Sequence, residues 1–224
     1  MFSVLFEVHP KIEQWEDYLD FAKLLRPELI KIEGFIDNIR YKRLTRDGWI
    51  LSLSGWQDEK ALVRWRTQAR HHMVQEKGRS HVFSDYHLRV GQITRDNQLP
   101  EGQVLREQRL DITQKGEAST IILIDAKRPT TAKDDLPQEL ARWMGLTTNA
   151  PGLVSWDVFD AVLTPGDVIL LMSWRRCEDA DAFVATASQL PVNVRLRQIR
   201  VIRDYGMYDR YEAPQYYPVV ARTV

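Results

Sequence analysis

The sequence predicts an α+β fold in which two tandem ferredoxin-like βαββαβ units pair their antiparallel sheets into one barrel-like body. The first observation behind this prediction is an internal repeat, because residues 152–174 reproduce the pattern of residues 34–56. Both stretches run from a glycine through a strand, a glycine turn and an apolar strand to a tryptophan, and Gly152 follows Gly34 by 118 residues. Such a repeat indicates two copies of one structural unit. The second observation is the order of apolar runs and helical spacings around each copy, which matches β-α-β-β-α-β.

The first unit is predicted to span residues 1–95. Residues 3–8 form a short apolar run rich in β-formers, typical of a strand. A helix should follow, because apolar residues recur at helical spacing, and Pro27 is expected to end it. The apolar residues of this helix are Trp15, Tyr18, Leu19, Ala22 and Leu25. Residues 35–44 and 49–54 are predicted to form a hairpin around Asp47-Gly48.

The same unit is predicted to end with a helix and a strand. Asp58 is a suitable N-cap, and one helix is expected to run from there to about Lys77, with Gly78 ending it. Residues 82–94 then supply the fourth strand. Residues 96–117 are polar and are predicted to be a linker between the units.

The second unit is predicted to span residues 118–205, as a degenerate copy of the first. Its strand 120–126 matches the first strand at the same offset, a short helix should begin at Pro137, and a hairpin should turn at Gly166. Its second helix should end before Pro191. Residues 206–224 form a tail rich in tyrosine and proline, which is too aromatic to stay free. We expect the tail to pack on the barrel or on a second copy of the chain, which would make a homo-oligomer.

The composition limits the partners of the protein. Its 224 residues carry 31 basic and 31 acidic side chains, so the chain lacks the positive field that attracts nucleic acids, and no nucleic-acid partner is expected. No apolar run approaches the roughly 20 residues that cross a bilayer, so no membrane association is expected. The single cysteine, Cys177, excludes an internal disulfide, and residues 1–3 lead straight into a strand pattern. Both features favour a cytoplasmic protein.

The stretch 56–90 resembles the antibiotic biosynthesis monooxygenase (ABM) family of the dimeric α+β barrel superfamily. The matching residues are Trp56, Asp58, Glu59, Trp65, Arg66, His71, Gln75, Gly78, Arg79, Phe83, Tyr86, Leu88, Arg89 and Val90. The resemblance covers residues 1–95, and it reaches residues 118–210 only through the repeat and the strand order. It implies ferredoxin-like units paired into a barrel, with a ligand between the sheet and the helices of one unit. Characterised members include cofactor-independent oxygenases of polycyclic quinols and enzymes that degrade haem.

The resemblance implies catalytic roles for Trp65 and His71, with Trp65 flanking a flat ligand and the histidine handling a proton. On a continuous helix His72 lies closer to the face of Trp65, so both histidines are candidates. The ordinary structural readings are a core anchor for the tryptophan and a solvated helix residue for either histidine. Four further residues are candidate substrate contacts on the same helix and on the facing strands. They are Arg66, Gln75, Phe35 and Tyr41.

Three functions therefore stay open. The first is a cofactor-independent monooxygenase that acts on an aromatic or quinol-like small molecule. The second is a non-catalytic ligand-binding or assembly module with the same fold. The third is a haem-binding or haem-degrading protein, although residues 3–8 lack the asparagine of those enzymes, and Ala61 stands where the quinol oxygenases carry one. The five histidines do not follow a metal-ligand spacing, so no metal and no cofactor are expected.

The second unit lacks the candidate residues. Phe183 stands at the position of Trp65 and Gln189 at that of His71, and no histidine occurs after residue 118. We therefore expect one ligand site per chain, in the first unit.

Overall fold

The computed structural model describes residues 1–129, 136–186, 190 and 193–221. Within these ranges it contains eight strands and five helices in the order β-α-β-β-α-α-β, then β-α-β-β-α-β. The strands are β1 (Phe2–Pro10), β2 (Phe35–Arg43), β3 (Ile50–Trp56), β4 (Phe83–Asp96), β5 (Thr120–Lys127), β6 (Leu153–Ala161), β7 (Asp167–Trp174) and β8 (Arg195–Gly206). The helices are α1 (Trp15–Leu29), α2 (Glu59–Thr67), α3 (Ala69–Lys77), α4 (Pro137–Trp143) and α5 (Cys177–Ala185).

The strands form one closed antiparallel barrel in the order β1-β3-β2-β6-β7-β5-β8-β4. In the first unit β1 pairs with both β3 and β4, and in the second unit β5 pairs with both β7 and β8. The units join where β2 pairs with β6 and where β4 pairs with β8. Closure leaves no free sheet edge, and it confirms the predicted fold class.

Strand alternation divides the apolar residues between the inside and the outside of the barrel. Alternate side chains point inward and form a core from both units, with Leu5, Leu51, Leu123, Leu171 and Ile199 among its members. The remaining apolar side chains face the helices that pack on the outer surface. In the second unit this outer core is continuous, with Ile122, Leu140, Met144, Leu170 and Met172 fully buried.

Equivalent ion pairs lie on the inward-facing side of the two units. Glu7 on β1 pairs with Arg89 on β4. Asp125 on β5, 118 residues after Glu7, pairs with Arg197 on β8 at 2.8 Å. Glu7 and both arginines are buried and Asp125 is half-buried, and because each carboxylate is paired with its arginine, these charges serve the barrel.

The helix predicted from Asp58 to Lys77 is two helices, and this corrects the sequence-based expectation. Asp58 caps α2 as predicted, accepting the N–H of Ala61 at 2.8 Å. Gln68 then leaves the helical conformation, with φ −62° and ψ 129°, and its side-chain oxygen accepts the N–H of His71. Gln68 thereby caps α3, which begins in a new direction.

The expectation for Pro27 also needs correction. Pro27 does not end α1 but lies in its last turn, where the missing N–H removes a single hydrogen bond. The residues predicted as a linker, 96–117, lie between β4 and β5. Apart from Asp96, which ends β4, they form no helix or strand, and Leu105 packs against the core inside the barrel. The second helix of the second unit, α5, is described from Cys177 to Ala185, and Gln189 and Pro191 lie outside the described residues.

The segment after β8 folds back over the first unit. Met207 donates its N–H to the carbonyl of Tyr86 on β4, and both Met207 and Tyr217 are buried. Tyr211 and Tyr216 point outward and are exposed. We call residues 207–221 the tail segment. It packs on the chain's own first unit, and this contact brings it to the site described next.

Candidate active site in the first unit

A cavity of about 480 Å³ lies in the first unit between the outer face of the sheet, the helices α1 to α3 and the tail segment. Its walls are mainly apolar, with a limited set of polar groups, which is the usual character of a small-molecule site. The apolar lining includes Phe6, Phe21, Leu25, Leu29, Phe35, Leu62, Trp65, Val74, Leu88 and Val90. Tyr217 and Gln215 of the tail segment complete the wall.

Three small polar side chains form the floor of the cavity on β2 and β3. Asn38 donates from Nδ2 to the hydroxyl of Ser52 at 2.9 Å and to the carbonyl of Leu53 at 3.2 Å. The hydroxyl of Ser54 accepts the indole N–H of Trp56 at 2.9 Å. Because serine is small, these positions leave space above the sheet that larger residues would fill.

Trp65 and His71 stack on each other in the wall opposite the floor. Their ring centroids are 4.1 Å apart and the planes differ by 15°. On a continuous helix, residues six positions apart would point about 120° away from one another, since each residue advances by about 100°. The break at Gln68 is therefore what brings the imidazole back onto the indole.

The hydrogen bonds of His71 define its tautomer. Nδ1 lies 2.9 Å from the carbonyl oxygen of Trp65, which only accepts hydrogen bonds, so Nδ1 carries the proton. Burial lowers the pKa of His71 to about 4, although the bond to the Trp65 carbonyl acts in the opposite direction. The imidazole is therefore neutral near pH 7, and its Nε2 carries a lone pair that can accept a proton.

A chain of hydrogen bonds leads from His71 to the tail segment. The amide nitrogen of Gln75 lies 3.5 Å from Nε2 of His71, and the amide oxygen accepts the phenol of Tyr217 at 2.9 Å. Tyr217 in turn lies 3.1 Å from Nδ1 of His72. One set of proton positions satisfies all of these bonds, with His72 donating to Tyr217, Tyr217 to Gln75, and Gln75 to His71. The tail segment therefore helps to fix the orientation of the histidine.

The structure brings five of the seven predicted site residues together. Trp65, Arg66, His71, Gln75 and Phe35 all line the cavity. Phe35 faces the same side as Asn38 because the pairing of β2 with β3 shifts register between Phe35 and Asp37.

His72 and Tyr41 do not line the cavity, contrary to the sequence-based expectation. His72 stacks on Tyr217 instead, with ring centroids 5.5 Å apart, because the break at Gln68 resets the helical register that favoured it. Tyr41 lies inside the barrel and is only 4% exposed, because strand alternation turns it away from the side that carries Asn38.

Several lining residues escaped the sequence analysis as site residues. Asn38, Ser52 and Ser54 carry no motif, and only the strand pairing identifies their common face. Arg79 and Tyr86 belong to the stretch that carries the family resemblance, which was a usable signal. Arg210, Gln215 and Tyr217 enter from the distant tail segment, and the aromatic composition of that segment indicated packing without indicating its place.

The cavity lining is strongly basic. Five arginines contribute to it within the described residues, against one carboxylate, Asp37. The arginines are Arg26, Arg40, Arg66, Arg79 and Arg210. None of them forms an ion pair with a carboxylate of the described part of the chain. The positive charge is therefore local, since the chain as a whole is neutral.

In the second unit, larger side chains occupy the same backbone positions. At the 118-residue offset, Asn38 is replaced by Trp156, Ser52 by Leu170 and Ser54 by Met172. The strand pairing is equivalent, since Trp156 faces Met172 as Asn38 faces Ser54. These larger side chains belong to the apolar cluster beneath α4 and α5.

Two features bear on metals and membranes. Among the residues that the structure describes, no three His, Cys, Asp or Glu side chains converge in a way that could hold a metal ion. The described helices include none whose length and apolar character would let it span a bilayer.

Fold and site together define a barrel of two fused ferredoxin-like units with one small-molecule cavity against the sheet of the first. Comparison with known proteins identifies a relative, the jasmonate monooxygenase ABM of Pyricularia oryzae. It is 49% identical over 224 residues, an alignment that covers 97% of this chain and 99% of that protein. No family model matches the chain.

Solved structures give weaker similarities. A putative monooxygenase from Lactobacillus acidophilus is 10% identical, with a TM-score of 0.39, and the match covers 91% of this chain and 94% of the other. An anthrone oxidase-like protein is 12% identical, with a TM-score of 0.35 and 96% of both chains covered. Similarity at this level adds nothing to the assignment.

The full-length relationship to the Pyricularia oryzae protein shows that the chain belongs to the antibiotic biosynthesis monooxygenase (ABM) family. The protein is thus an oxidoreductase of the monooxygenase class. This decides between the enzyme and the non-catalytic module in favour of the enzyme, and it confirms the resemblance carried by residues 56–90.

Proposed function

We propose that this monooxygenase acts on an apolar small molecule bound in the cavity of the first unit, and that it uses no resident metal or organic cofactor. The observation that carries the proposal is the cavity itself, about 480 Å³ with apolar walls, a polar floor and a neutral histidine. Small-molecule sites combine these properties, with a few polar groups that fix the orientation of an apolar ligand.

A molecule of the jasmonate type is the first candidate substrate. The relative at 49% identity is named for jasmonate, which is a carboxylate with an apolar body. The apolar walls suit such a body, and the unpaired arginines suit an acidic group. Hydroxylation of such a molecule, R–H + O₂ + 2e⁻ + 2H⁺ → R–OH + H₂O, needs a two-electron donor of the nicotinamide or flavin class as a co-substrate.

A quinol-like aromatic substrate is the second candidate. The stacked pair of Trp65 and His71 offers a flat wall for an aromatic ring, and the Nε2 lone pair can take a proton from the substrate. The deprotonated substrate then supplies all the electrons, as in R₂CH₂ + O₂ → R₂C=O + H₂O. This reaction needs no added reductant, which separates it from the first candidate.

Oxygen consumption by the purified chain tests the proposal. We expect saturable uptake with jasmonate plus reduced nicotinamide or flavin, or with anthrone alone, and incorporation of one ¹⁸O atom into the product. Prior treatment with a chelator should leave the rate unchanged. An absence of uptake with every substrate, with and without reductant, would rule the proposed substrate classes out.

Replacement of His71 tests the proposed chemistry. His71→Ala should lower kcat by about 100-fold with a smaller change in KM if the imidazole takes a proton in the rate-limiting step. The matched variant is His72→Ala, which changes the neighbouring residue outside the cavity and should have the smaller effect. A larger loss for His72→Ala would transfer the role to that residue.

Haem binding is the remaining alternative, and an absorbance titration measures it. His71 is the one histidine that lines the cavity among the described residues, and its Nε2 has only a long bond to Gln75, so it is the candidate iron ligand. A saturable Soret shift that His71→Ala abolishes would support this alternative. An unchanged spectrum of added haem would leave the two organic substrate classes.

Self-association through the tail segment stays a prediction. Tyr216 and Val219 are 89% and 95% exposed, and they are the apolar surface that the tail segment offers to a second copy. Sedimentation velocity of the full chain and of the double variant Tyr216→Ser, Val219→Ser measures it.

A further inference from the structure

We propose that Arg79, Arg210 and the phenol of Tyr86 form a carboxylate-binding subsite that holds one end of the substrate. The inference rests on the proposed function, because it assigns the chemical class of the molecule in the same cavity. The proposal is based on an excess of buried hydrogen-bond donors at one place in the cavity wall.

Tyr86 receives hydrogen bonds from both arginines. Nη1 of Arg79 donates to its phenol oxygen at 2.8 Å, and Nη1 of Arg210 donates to the same oxygen. Guanidinium groups only donate, so both bonds use lone pairs of the oxygen. The phenol proton remains, and no residue of the described chain accepts it. Two guanidinium groups and one phenol thus meet at a place where no described residue accepts the phenol proton.

Arg79 is buried with a positive charge, and no carboxylate among the described residues forms an ion pair with it. It is 5% exposed, and among the described residues its acceptors besides Tyr86 are the backbone carbonyls of Met207 and Pro218, at 3.1 and 3.3 Å. These bonds occupy three of its five N–H groups. Nε is buried without an acceptor among the described residues. A buried guanidinium in this condition is stabilised by an anion that enters the cavity.

Arg210 brings the second charge from the tail segment. It donates from Nη2 to the carbonyl of Gln215 at 2.8 Å and lies over the rings of Tyr205 and Tyr217, 5.6 and 5.2 Å from their centroids. With one bond to Tyr86 and one to Gln215, three of its five N–H groups remain. Contacts with aromatic faces orient the guanidinium without neutralising its charge.

The arginines inside the barrel provide the contrast that makes this arrangement informative. Arg43 and Arg89 both bond to Glu7, and Arg197 bonds to both oxygens of Asp125 at 2.8 Å. The protein therefore supplies a carboxylate where a buried arginine serves the structure. Arg79 lacks one, and it lines a cavity that is open to a ligand.

A carboxylate matches this donor set. It is acceptor-only, with two oxygens and about four lone-pair sites, and it takes paired N–H groups of a guanidinium in a planar arrangement. The remaining N–H groups of the two arginines and the phenol proton can satisfy both oxygens. A neutral ester of the same molecule keeps the apolar body but loses the charge and much of the acceptor strength.

Binding of matched acids and esters tests the proposal. Calorimetry or the fluorescence of the tryptophans would be followed on adding jasmonate, methyl jasmonate, 2-naphthylacetate and its methyl ester. We expect each acid to bind the full-length protein about 10- to 100-fold more tightly than its ester. Equal affinities, tighter binding of the esters, or no measurable binding of any of the four would overturn the subsite.

Single substitutions test whether the three residues of the subsite cause the tighter binding of acids. Arg210→Gln should reduce the acid-to-ester ratio to near 1 while the affinity for the ester changes little, and Tyr86→Phe should reduce it by a smaller factor. Arg79→Gln should act like Arg210→Gln wherever it folds, as judged by its circular dichroism. The matched control is Arg64→Gln, which removes an equal charge from an exposed position on α2 outside the cavity. A ratio that stays at the wild-type value in Arg210→Gln, or that falls as far in Arg64→Gln, would remove the assignment.

Oxygen uptake on the same samples separates this inference from the proposed function. An acid preference without turnover would keep the subsite and remove the substrate assignment. Turnover with equal binding of acid and ester would keep the substrate assignment and remove the subsite.

Discussion

The first unit carries Asn38, Ser52 and Ser54 where the second carries Trp156, Leu170 and Met172, on strands with the same pairing. Above the small residues lies a cavity, and above the large ones lies a packed core. The covering helices differ as well, since α1 has 15 residues and its counterpart α4 has 7. The difference teaches that one backbone unit can be a binding site or a structural partner depending on side-chain volume at a few outward-facing positions.

The same replacement of small by large side chains changes the hydrogen bonding of the tryptophans that end β3 and β7. The indole N–H of Trp56 donates to Ser54, whereas the indole N–H of its equivalent, Trp174, has no acceptor among the described residues because Met172 replaces the serine. The second unit thus loses a hydrogen bond and gains apolar contacts. A buried N–H without an acceptor costs about 1–3 kcal/mol and a buried methionine side chain contributes about 1.5–3 kcal/mol, so the two changes offset each other to a large extent.

The largest effect is expected from a substitution that opens a cavity in the packed core of the second unit. Met172→Ala should lower the free energy of unfolding by about 2–5 kcal/mol, because the residue is fully buried and its neighbours can close the cavity only in part. Denaturant unfolding measures the change. The matched control is Met73→Ala on α3, where the side chain is 43% exposed. Similar losses for both variants would show that the second unit is not packed as described.

The converse change should close the site. The double variant Ser52→Leu, Ser54→Met gives the first unit the floor of the second, and ligand binding should weaken by more than about 100-fold, or about 2.7 kcal/mol, because the added side chains occupy the cavity. The unfolding midpoint should stay near that of the wild type, since the second unit tolerates both residues on the same backbone. Retained binding of jasmonate or anthrone in this variant would show that the ligand lies elsewhere.

A smaller effect is expected in the pH dependence of the free energy of unfolding, and it should arise from His71 in the first unit. In the unfolded chain His71 takes up a proton near its ordinary pKa of about 6.5, whereas burial holds the folded pKa at about 4. The contribution of His71 to stability is therefore complete above pH 6.5 and is lost as the pH falls towards 4. Between pH 7 and pH 5 the wild type should lose about 1–2 kcal/mol that His71→Gln does not lose.

The control for this prediction is His81→Gln, which changes an exposed histidine. Its stability should follow the wild-type curve. Parallel curves for all three proteins would show that His71 is not buried as a neutral imidazole.

The repeat made most of the fold predictable. Gly34 and Gly152 both adopt positive φ, at 85° and 79°, and a side chain at either would collide with the helix that follows β3 or β7. Such positions keep their glycine at a fixed offset, so the repeat can be found at low identity. Strand alternation and turn signals then give the order of elements.

The site was predictable only in part, because its geometry depends on non-local packing. Glutamine is a good helix former, so nothing local marks Gln68 as the break that stacks His71 on Trp65. The register shift in β2 decides which strand residues face the cavity, and it puts Phe35 on the cavity side and Tyr41 inside the barrel. Arg210 lies far along the chain from Arg79, and only the folded structure brings them to the same phenol.

The return of the tail segment to the first unit has a consequence for synthesis on the ribosome. Asp96, the last residue of β4, leaves the ribosome 121 residues before Tyr217. At about 5–20 residues per second, that interval lasts roughly 6–24 s. During this time neither Arg210 nor Tyr217 has been made, so the part of the cavity wall that the tail segment supplies is still missing. The proposed carboxylate subsite is therefore complete only near the end of translation, after the second unit has been made.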